Sequence, residues 1–183
     1  CRALGAEVYT TAGSEKKCRE LEVLGANRAI DYRTEDFEQV LAELGLKDRI
    51  NVILDIAGGD FIQKNINVAA PEGRIVYIAF IRGARAEVNF GPLLVKRLVL
   101  TGSTLRAQSF AQKAVMVREI LERVYPHLES GAVKPVVDRI FLLEEVEQDV
   151  AVIEVPQLRR RRRVTLRAVT RPRRPRRGRA EDQ

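Results

Sequence analysis

The chain is poor in the residues that build metal sites and disulfides. Among its 183 residues are two cysteines, one histidine and no tryptophan. Cys1 and Cys18 form no CxxC pair, and His127 stands alone. A zinc site needs three or four such ligands at characteristic spacings, so neither a structural nor a catalytic zinc site is supported. The low cysteine content agrees with a reducing, cytoplasmic setting.

Long apolar runs are also lacking. None reaches the roughly 18–20 residues that a membrane-spanning helix needs, so we expect no membrane segment. Aromatic residues make up only 5% of the chain, and a core must therefore rest on Val, Ile, Leu and Ala. Residues 1–5 have neither the charged nor the apolar region of a signal peptide, and a chain that starts mid-pattern at Cys1 suggests a fragment.

The net charge of +7 is unevenly distributed. Residues 157–183 contain 12 Arg and two acids, a net charge of +10, so residues 1–156 carry 20 basic against 23 acidic side chains, a net charge of −3. The sequence therefore predicts a mildly acidic globular body with a basic tail, and the basic composition alone does not make the body a nucleic-acid binder.

Short apolar runs alternate with helical patterns along the body. The predicted strands cover residues 7–12, 28–31, 50–55, 74–80, 98–103 and 136–142. The predicted helices cover residues 15–24, 35–44, 61–70, 92–97, 110–129 and 143–150, with Ser14 and Thr34 as N-caps of the first two and a turn at 71–73. This alternation predicts the α/β class, with a parallel sheet covered on both faces and the strand at 74–80 buried on both sides.

Parallel sheets bind ligands at the carboxyl ends of their strands, so the residues after each strand are the candidates. After the first strand come Gly13 and Ser14, with Lys17 one helical turn later, where an NAD-binding protein usually has an acid. Small, hydroxyl and basic residues favour a phosphate there. Tyr32 and Arg33 follow the next strand and add a phenol and a guanidinium. The plainer alternative is that Ser14 only caps its helix, Lys17 is solvated and Tyr32 packs at an edge.

The later strand ends also suit a ligand. Gly58 and Gly59 allow a backbone to come close to it, although a tight turn is the simpler interpretation. Ala79 leaves room for a flat ring, and Phe80 is placed to line that space. Suitable residues at every strand end carry more weight than any single motif.

Several blocks of the chain together resemble a known family, the zinc-free quinone oxidoreductases of the medium-chain dehydrogenase/reductase superfamily. The resemblance extends from Cys1 to about Gln148. The blocks that carry it are Leu4-Gly5-Ala6-Glu7-Val8, Thr11-Ala12-Gly13-Ser14, Leu24-Gly25-Ala26, Ile30-Asp31-Tyr32, Val52-Ile53-Leu54-Asp55, Gly58-Gly59-Asp60, Gly73-Arg74-Ile75-Val76, Leu100-Thr101-Gly102-Ser103-Thr104-Leu105-Arg106 and Leu128-Glu129-Ser130-Gly131.

The resemblance implies a Rossmann-like fold and hydride transfer from NADPH to a quinone or another electrophilic alkene or carbonyl. It places the 2′-phosphate near Ser14, Lys17 and Tyr32, and the nicotinamide near Ala79 and Phe80. No side chain is assigned as a catalytic acid, because the protein is expected mainly to orient the cofactor. The family commonly dimerises through the edge strand, here residues 98–103. An enoyl reductase is a close alternative, and acceptor profiling would separate the two.

Three departures qualify this resemblance. The glycine-rich phosphate loop, expected just before Cys1 with the first strand, is absent, and so is the domain that covers the active site. The family's ending also gives way to the Arg-rich segment. We therefore expect a partial NADP-binding Rossmann domain at 1–135, a return segment at 136–150 and a disordered basic tail at 151–183. Without the first strand, nothing links the two strands on one side of the gap to those on the other, so backbone groups there are expected to be left unpaired or to close up. The isolated chain is expected to be poorly stable and inactive.

The Arg-rich tail has two open interpretations. As an electrostatic arm it would bind nucleic acid, giving a non-catalytic binding protein. Alternatively, it is the product of a shifted reading frame and has no function. We favour the second, because the tail begins where a family-like helix is cut off. Salt-sensitive retention on RNA, lost on truncation after Gln157, would favour the first.

Overall fold

Five short parallel strands alternate with helices in the computed structural model, which describes residues 1–137. The segment Cys1–Lys134 forms one compact unit. After a 3₁₀ turn at Arg2–Leu4, the strands are β1 (Tyr9–Ala12), β2 (Arg28–Asp31), β3 (Ile50–Asp55), β4 (Ala69–Tyr77) and β5 (Val99–Gly102). The helices are α1 (Glu15–Val23), α2 (Phe37–Glu43), α3 (Phe61–Val68), α4 (Gly91–Lys96), α5 (Phe110–Arg123) and α6 (Tyr125–Glu129). The return segment and the Arg-rich tail lie outside the described residues, except for residues 136 and 137.

The strands form two separate parallel sheets. One has the order β1-β2 and the other the order β3-β4-β5. This confirms the predicted partial Rossmann-like arrangement, in which no strand among the described residues joins the first two strands to the other three. Within the described residues β1 and β3 therefore each have an edge without a strand partner.

Helices cover the two sheets differently. Cys18 of α1 packs with Ala12 and Ala29 on one face of the β1-β2 sheet. On the other face, Ile30 packs with Phe37 of α2 and Phe61 of α3. Among residues 1–137, the β3-β4-β5 sheet has a core on one face only, where Ile75 packs with Ile66 and Leu98.

The prediction that the strand at 74–80 is buried on both faces is wrong. Ile75 is fully buried, but Arg74 is exposed and Val76 only partly buried. Across the sheet from these residues, Val52 and Leu54 are each 66% exposed. In the described part of the chain this face of the sheet is not buried by a helix. The strand also ends at Tyr77, so Ala79 and Phe80 lie in the loop after it.

The predicted turn at 71–73 is instead an irregularity inside β4. The register with β3 jumps from Ile50 opposite Ala69 to Val52 opposite Arg74. Glu72 takes a left-handed conformation with φ of 62°. The predicted helix at 61–70 accordingly ends at Val68, because Ala69 and Ala70 already belong to the strand.

Two helix predictions also need correction. Asp36, not Thr34, is the N-cap of α2, and its carboxylate accepts the Glu38 N–H at 2.9 Å. Glu35 stays outside the helix because its carboxylate accepts the Asp31 N–H. The long predicted helix at 110–129 is two helices. Pro126 has no N–H to continue the hydrogen bonds of α5 and lies instead in the first turn of α6.

Candidate functional site

The first part of the site lies where β1 runs into α1. The Ser14 side chain caps α1 by accepting the Lys17 N–H at 3.4 Å. The unsatisfied N–H groups and the positive end of the helix dipole favour an anion at this position. The Lys17 side chain is exposed and takes part in no ion pair among residues 1–137. The predicted Ser14 and Lys17 are thus together, with one basic side chain uncommitted.

The residues that follow β2 pack against Gly13, which lies in the turn between β1 and α1. A Cβ on Gly13 would lie 2.7 Å from the Tyr32 hydroxyl oxygen and 3.4 Å from Arg33 Nε. Only glycine lets these two side chains come so close to the backbone. The structure therefore brings Tyr32 and Arg33 to the β1–α1 turn, beside Ser14.

The nearby acids are engaged in local contacts. Asp31 Oδ1 accepts the Arg33 N–H at 3.1 Å, which orients this carboxylate into its own turn. Glu15 pairs with Arg19 at 2.6 Å one turn along α1. Neither replaces the acid that an NAD site has at the end of this strand, and Lys17 and Arg33 supply positive charge.

The turn after β3 is shaped by a buried carboxylate. Asp55 accepts the N–H groups of Ala57 and Gly58 at 2.5 and 3.1 Å through one oxygen. Its other oxygen accepts Asn65 Nδ2 at 2.8 Å, which ties the turn to α3. The predicted Gly58 has φ of 66°, in the left-handed region. Asp55 therefore has a structural role here that the sequence pattern did not reveal.

The loops after β3 and β4 run side by side. Gly58 and Gly83 form an isolated parallel bridge, and the Gly59 N–H donates to the Gly83 carbonyl at 2.8 Å. A Cβ on Gly58 would lie 2.5 Å from Phe80 Cδ1. The Phe80 ring thus packs directly over Gly58, which joins two of the predicted site residues.

An open cleft of about 650 Å³ lies at the ends of β4 and β5. Its walls include the predicted Ala79 and Phe80 together with Tyr77, Thr101, Ser103 and Thr104. The rings of Tyr77 and Phe80 stack with centroids 5.5 Å apart and an interplanar angle of 22°. Two stacked rings and several hydroxyl side chains in one cleft suit a flat ring that carries a polar substituent.

Tyr77 is the unexpected member of this cleft. Its hydroxyl is buried and has no hydrogen-bond partner in the described part of the chain. Burial, with a further contribution from the negative charge of Asp55, raises the pKa of this phenol above its usual value. The group therefore stays protonated, with its oxygen shielded from solvent.

A second cluster that sequence reasoning missed joins the two parts of the site. Arg82, in the loop after β4, donates to both oxygens of Asp60, from Nε at 2.8 Å and from Nη2 at 3.2 Å. Its guanidinium carbon lies 5.2 Å from the centre of the Phe61 ring and 5.8 Å from that of Tyr32. The partners are more than 20 positions apart, so no local pattern signals them.

The described residues do not fit a metal centre. No group of three His, Cys, Asp or Glu side chains within residues 1–137 is arranged to hold an ion. Cys18 is buried under α1, and Cys1 is exposed near the start of the chain. We therefore derive no step through zinc. Among the same residues, no helix has both the length and the apolar character to cross a membrane.

Comparison with known proteins shows which family this chain is related to. The family model for zinc-binding dehydrogenases matches residues 1–120. The chain is 30% identical over 146 residues to quinone oxidoreductase-like protein 2 of Bos taurus, covering 78% of this chain and 41% of that protein. It thus spans about two fifths of the length of this curated relative.

Solved structures show the same relationship. The Escherichia coli quinone oxidoreductase complexed with NADPH matches with a TM-score of 0.62 and 27% identity, over 74% of this chain and 41% of that one. The nucleotide-binding subdomain of the enoylreductase domain of PpsC from Mycobacterium tuberculosis matches with a TM-score of 0.56 and 26% identity, over 72% and 73%. The chain therefore belongs to the zinc-binding dehydrogenase family, as a quinone oxidoreductase-like, partial-length C-terminal portion of a medium-chain dehydrogenase/reductase.

Proposed function

We propose that this chain is the nucleotide-binding part of an oxidoreductase that uses NADPH. One observation carries the choice of NADPH over NADH: the end of β1 has no acid and meets Ser14, Lys17, Tyr32 and Arg33 around Gly13. A 2′-phosphate would there accept from the hydroxyls of Ser14 and Tyr32 and pair with the lysine and the guanidinium. The NADPH complex of the Escherichia coli relative supports this choice.

The nicotinamide is assigned to the cleft at Ala79 and Phe80. The stacked rings of Tyr77 and Phe80 line this cleft together with the hydroxyl side chains of Ser103 and Thr104. These residues would orient the ring against an acceptor, which is the main contribution a protein makes to hydride transfer.

The phosphate assignment is tested by comparing 2′,5′-ADP with 5′-AMP, which lacks only the 2′-phosphate, as ligands of the purified chain. We expect Lys17→Gln to weaken binding of 2′,5′-ADP about 10-fold, because one charge pair with the 2′-phosphate is lost, and to leave 5′-AMP binding unchanged. Lys16→Gln is the matched control, since Lys16 is exposed and lies 3.8 Å from Glu20. If wild-type chain binds both nucleotides equally, the choice of NADPH is wrong.

The acceptor is proposed to be a quinone or another electrophilic alkene or carbonyl. Because the chain spans about 41% of its relative, this activity is a proposal for the whole protein. The cleft at Ala79 is open in the described structure, so we expect the 183-residue chain alone to show no NADPH-dependent quinone reduction. Turnover above the background of a Lys17→Gln preparation, followed at 340 nm, would contradict this expectation.

An enoyl reductase is the second candidate. It is favoured by the match to the enoylreductase subdomain, which extends over 73% of that shorter chain. Quinones and α,β-unsaturated thioesters offered to the whole protein would separate the two activities. Faster reduction of the thioester would select the second.

We also propose that the protein forms a homodimer and is located in the cytoplasm. β5 has an edge with no strand partner in the described residues, and we propose that residues 98–103 pair with the same segment of a second copy. Light scattering of the chain before and after Leu100→Pro, which removes a ladder donor, tests this pairing. The two free cysteines agree with a reducing, cytoplasmic setting.

A further inference from the structure

Arg82 lies at the boundary between the two parts of the candidate site, and hydrogen bonds fix the orientation of its guanidinium. Its backbone N–H donates to the Ala57 carbonyl at 2.8 Å, so the residue is fixed where the loops after β3 and β4 meet. Two parallel hydrogen bonds to Asp60 fix the plane of the guanidinium. The side chain is nevertheless 42% exposed. Part of a side chain with a fixed planar end is therefore accessible to solvent.

The surroundings favour stacking over anion binding. Asp60 already compensates the charge of Arg82, so a phosphate would have to compete with a bidentate carboxylate. Lys17 and Arg33 have no ion-pair partner among residues 1–137 and are the better phosphate ligands. Phe61 and Tyr32 lie against the guanidinium and back it with aromatic rings. A guanidinium in this setting offers a flat surface on which a planar ring can stack.

Tyr32 links this surface to the proposed phosphate site. Its hydroxyl approaches Gly13, and its ring contacts Arg82. In NADPH the 2′-phosphate and the adenine are attached to neighbouring carbons of one ribose. A phosphate held near Ser14 and Lys17 therefore places the base within reach of the residues on the other side of Tyr32.

We propose that Arg82 is the base-stacking residue of the nucleotide site: its guanidinium, oriented by Asp60 and backed by Phe61, stacks on the adenine ring. This inference rests on the proposed function, because it takes the position of the ribose from the phosphate site. It adds a residue that recognises the base whether or not the 2′-phosphate is present. Asp60 and Phe61 are positioning residues in this arrangement.

The test measures binding of 2′,5′-ADP and 5′-AMP to the purified chain with Arg82 changed. Arg82→Lys keeps the charge and removes the planar surface, and Arg82→Gln removes both. We expect each variant to weaken both nucleotides by the same factor, about 10-fold, as base stacking on a side chain predicts. Arg85→Lys is the matched control, since Arg85 is an exposed arginine in the same loop, and its affinities should equal those of the wild type.

Two outcomes overturn the proposal while the proposed function stands. Unchanged affinities for Arg82→Lys would show that the plane is not used, and a loss confined to 2′,5′-ADP would make Arg82 a phosphate ligand. Failure of the wild-type chain to prefer 2′,5′-ADP would count against the proposed function instead. The urea midpoint of each variant reports folding. On the wild-type chain, nuclear Overhauser effects from adenine H2 and H8 to the Arg82 side chain are expected, and their absence at saturating 2′,5′-ADP would also overturn the proposal.

Discussion

The two sheets of this molecule differ in how completely the chain covers them. The β1-β2 sheet has α1 on one face and α2 with α3 on the other, and Ala29 and Ile30, neighbours on opposite faces, are both buried. In the β3-β4-β5 sheet, Ile75 is 0% exposed on the face covered by helices, while Leu54 is 66% exposed on the other. One part of the fold has two cores and the other has one.

The difference separates the two halves of the candidate site. The half assigned to the adenosine phosphate lies at the end of the fully covered sheet, where Ser14 caps a helix and Gly13 lets Tyr32 approach. The half assigned to the nicotinamide lies at the end of the half-covered sheet, in an open cleft. The proposed phosphate site is therefore the half of the candidate site that the described residues organise more completely.

The two faces of the β3-β4-β5 sheet can be compared directly by shortening one side chain on each face to alanine. Ile75→Ala should lower the free energy of unfolding by about 4 kcal/mol, because it removes a fully buried side chain and leaves a cavity. Leu54→Ala, on the opposite face, should cost less than about 1 kcal/mol, since its side chain is already solvated. Urea unfolding followed by far-ultraviolet circular dichroism measures both. Equal losses would mean that the face of Leu54 is covered in solution.

The junction of the loops after β3 and β4 can be tested with two glycines. Gly58 and Gly45 both have left-handed φ, 66° and 71°, so alanine should strain each by about 1–2 kcal/mol. A Cβ on Gly58 would also lie 2.6 Å from the Gly83 carbonyl oxygen, whereas one on Gly45 meets nothing within 4 Å. Gly58→Ala should therefore lose about 2 kcal/mol more than Gly45→Ala in the same urea experiment. Matching losses would show that the junction can relax.

Local patterns predicted most of the elements and the clusters at the strand ends. Ser14 has the chemistry of an N-cap, Gly25 ends the helix that it begins, and alternating apolar runs mark the strands. Parallel sheets bind ligands at the carboxyl ends of their strands, and this rule, applied to the predicted strands, placed Ser14, Lys17 and Tyr32 in one site. The separation of β1 and β2 from the other strands agrees with the expected strand order, since no strand among the described residues joins them to β3, β4 and β5.

The errors arose where distant contacts decide the outcome. Glu35 has the composition of a first-turn residue but accepts from Asp31, so α2 starts later than Thr34 suggests. Burial of the strand at 74–80 depends on elements that cover the sheet, which periodicity does not show. Arg82 and Asp60 are ordinary surface residues in the sequence, and only the meeting of two loops pairs them.

The rate of cysteine labelling tests how well α1 covers the β1-β2 sheet. Cys18 is 5% exposed between α1 and the β1-β2 sheet, and burial raises the pKa of its thiol. Cys1 is exposed and serves as an internal control. Under native conditions a disulfide reagent should modify Cys18 at least about 10-fold more slowly than Cys1, since only the accessible thiolate reacts. Equal rates would show that α1 opens readily and that this sheet is no better covered than the other.

The smallest expected effect concerns Asp60, whose ion pair with Arg82 lies where the two regions meet. The hydrogen bonds from Arg82 hold the pKa of this carboxyl below its usual value. A lowered folded-state pKa stabilises the fold above the unfolded-state value, about 3.9, and this stabilisation disappears as the pH falls through the folded-state pKa. Both partners are more than two fifths exposed, so Asp60→Asn should cost less than about 1 kcal/mol at pH 6, and the cost should shrink as the pH falls through the folded-state pKa. A penalty that does not change with pH would mean that Asp60 acts through packing, and that its charge does not hold Arg82 between the two sheets.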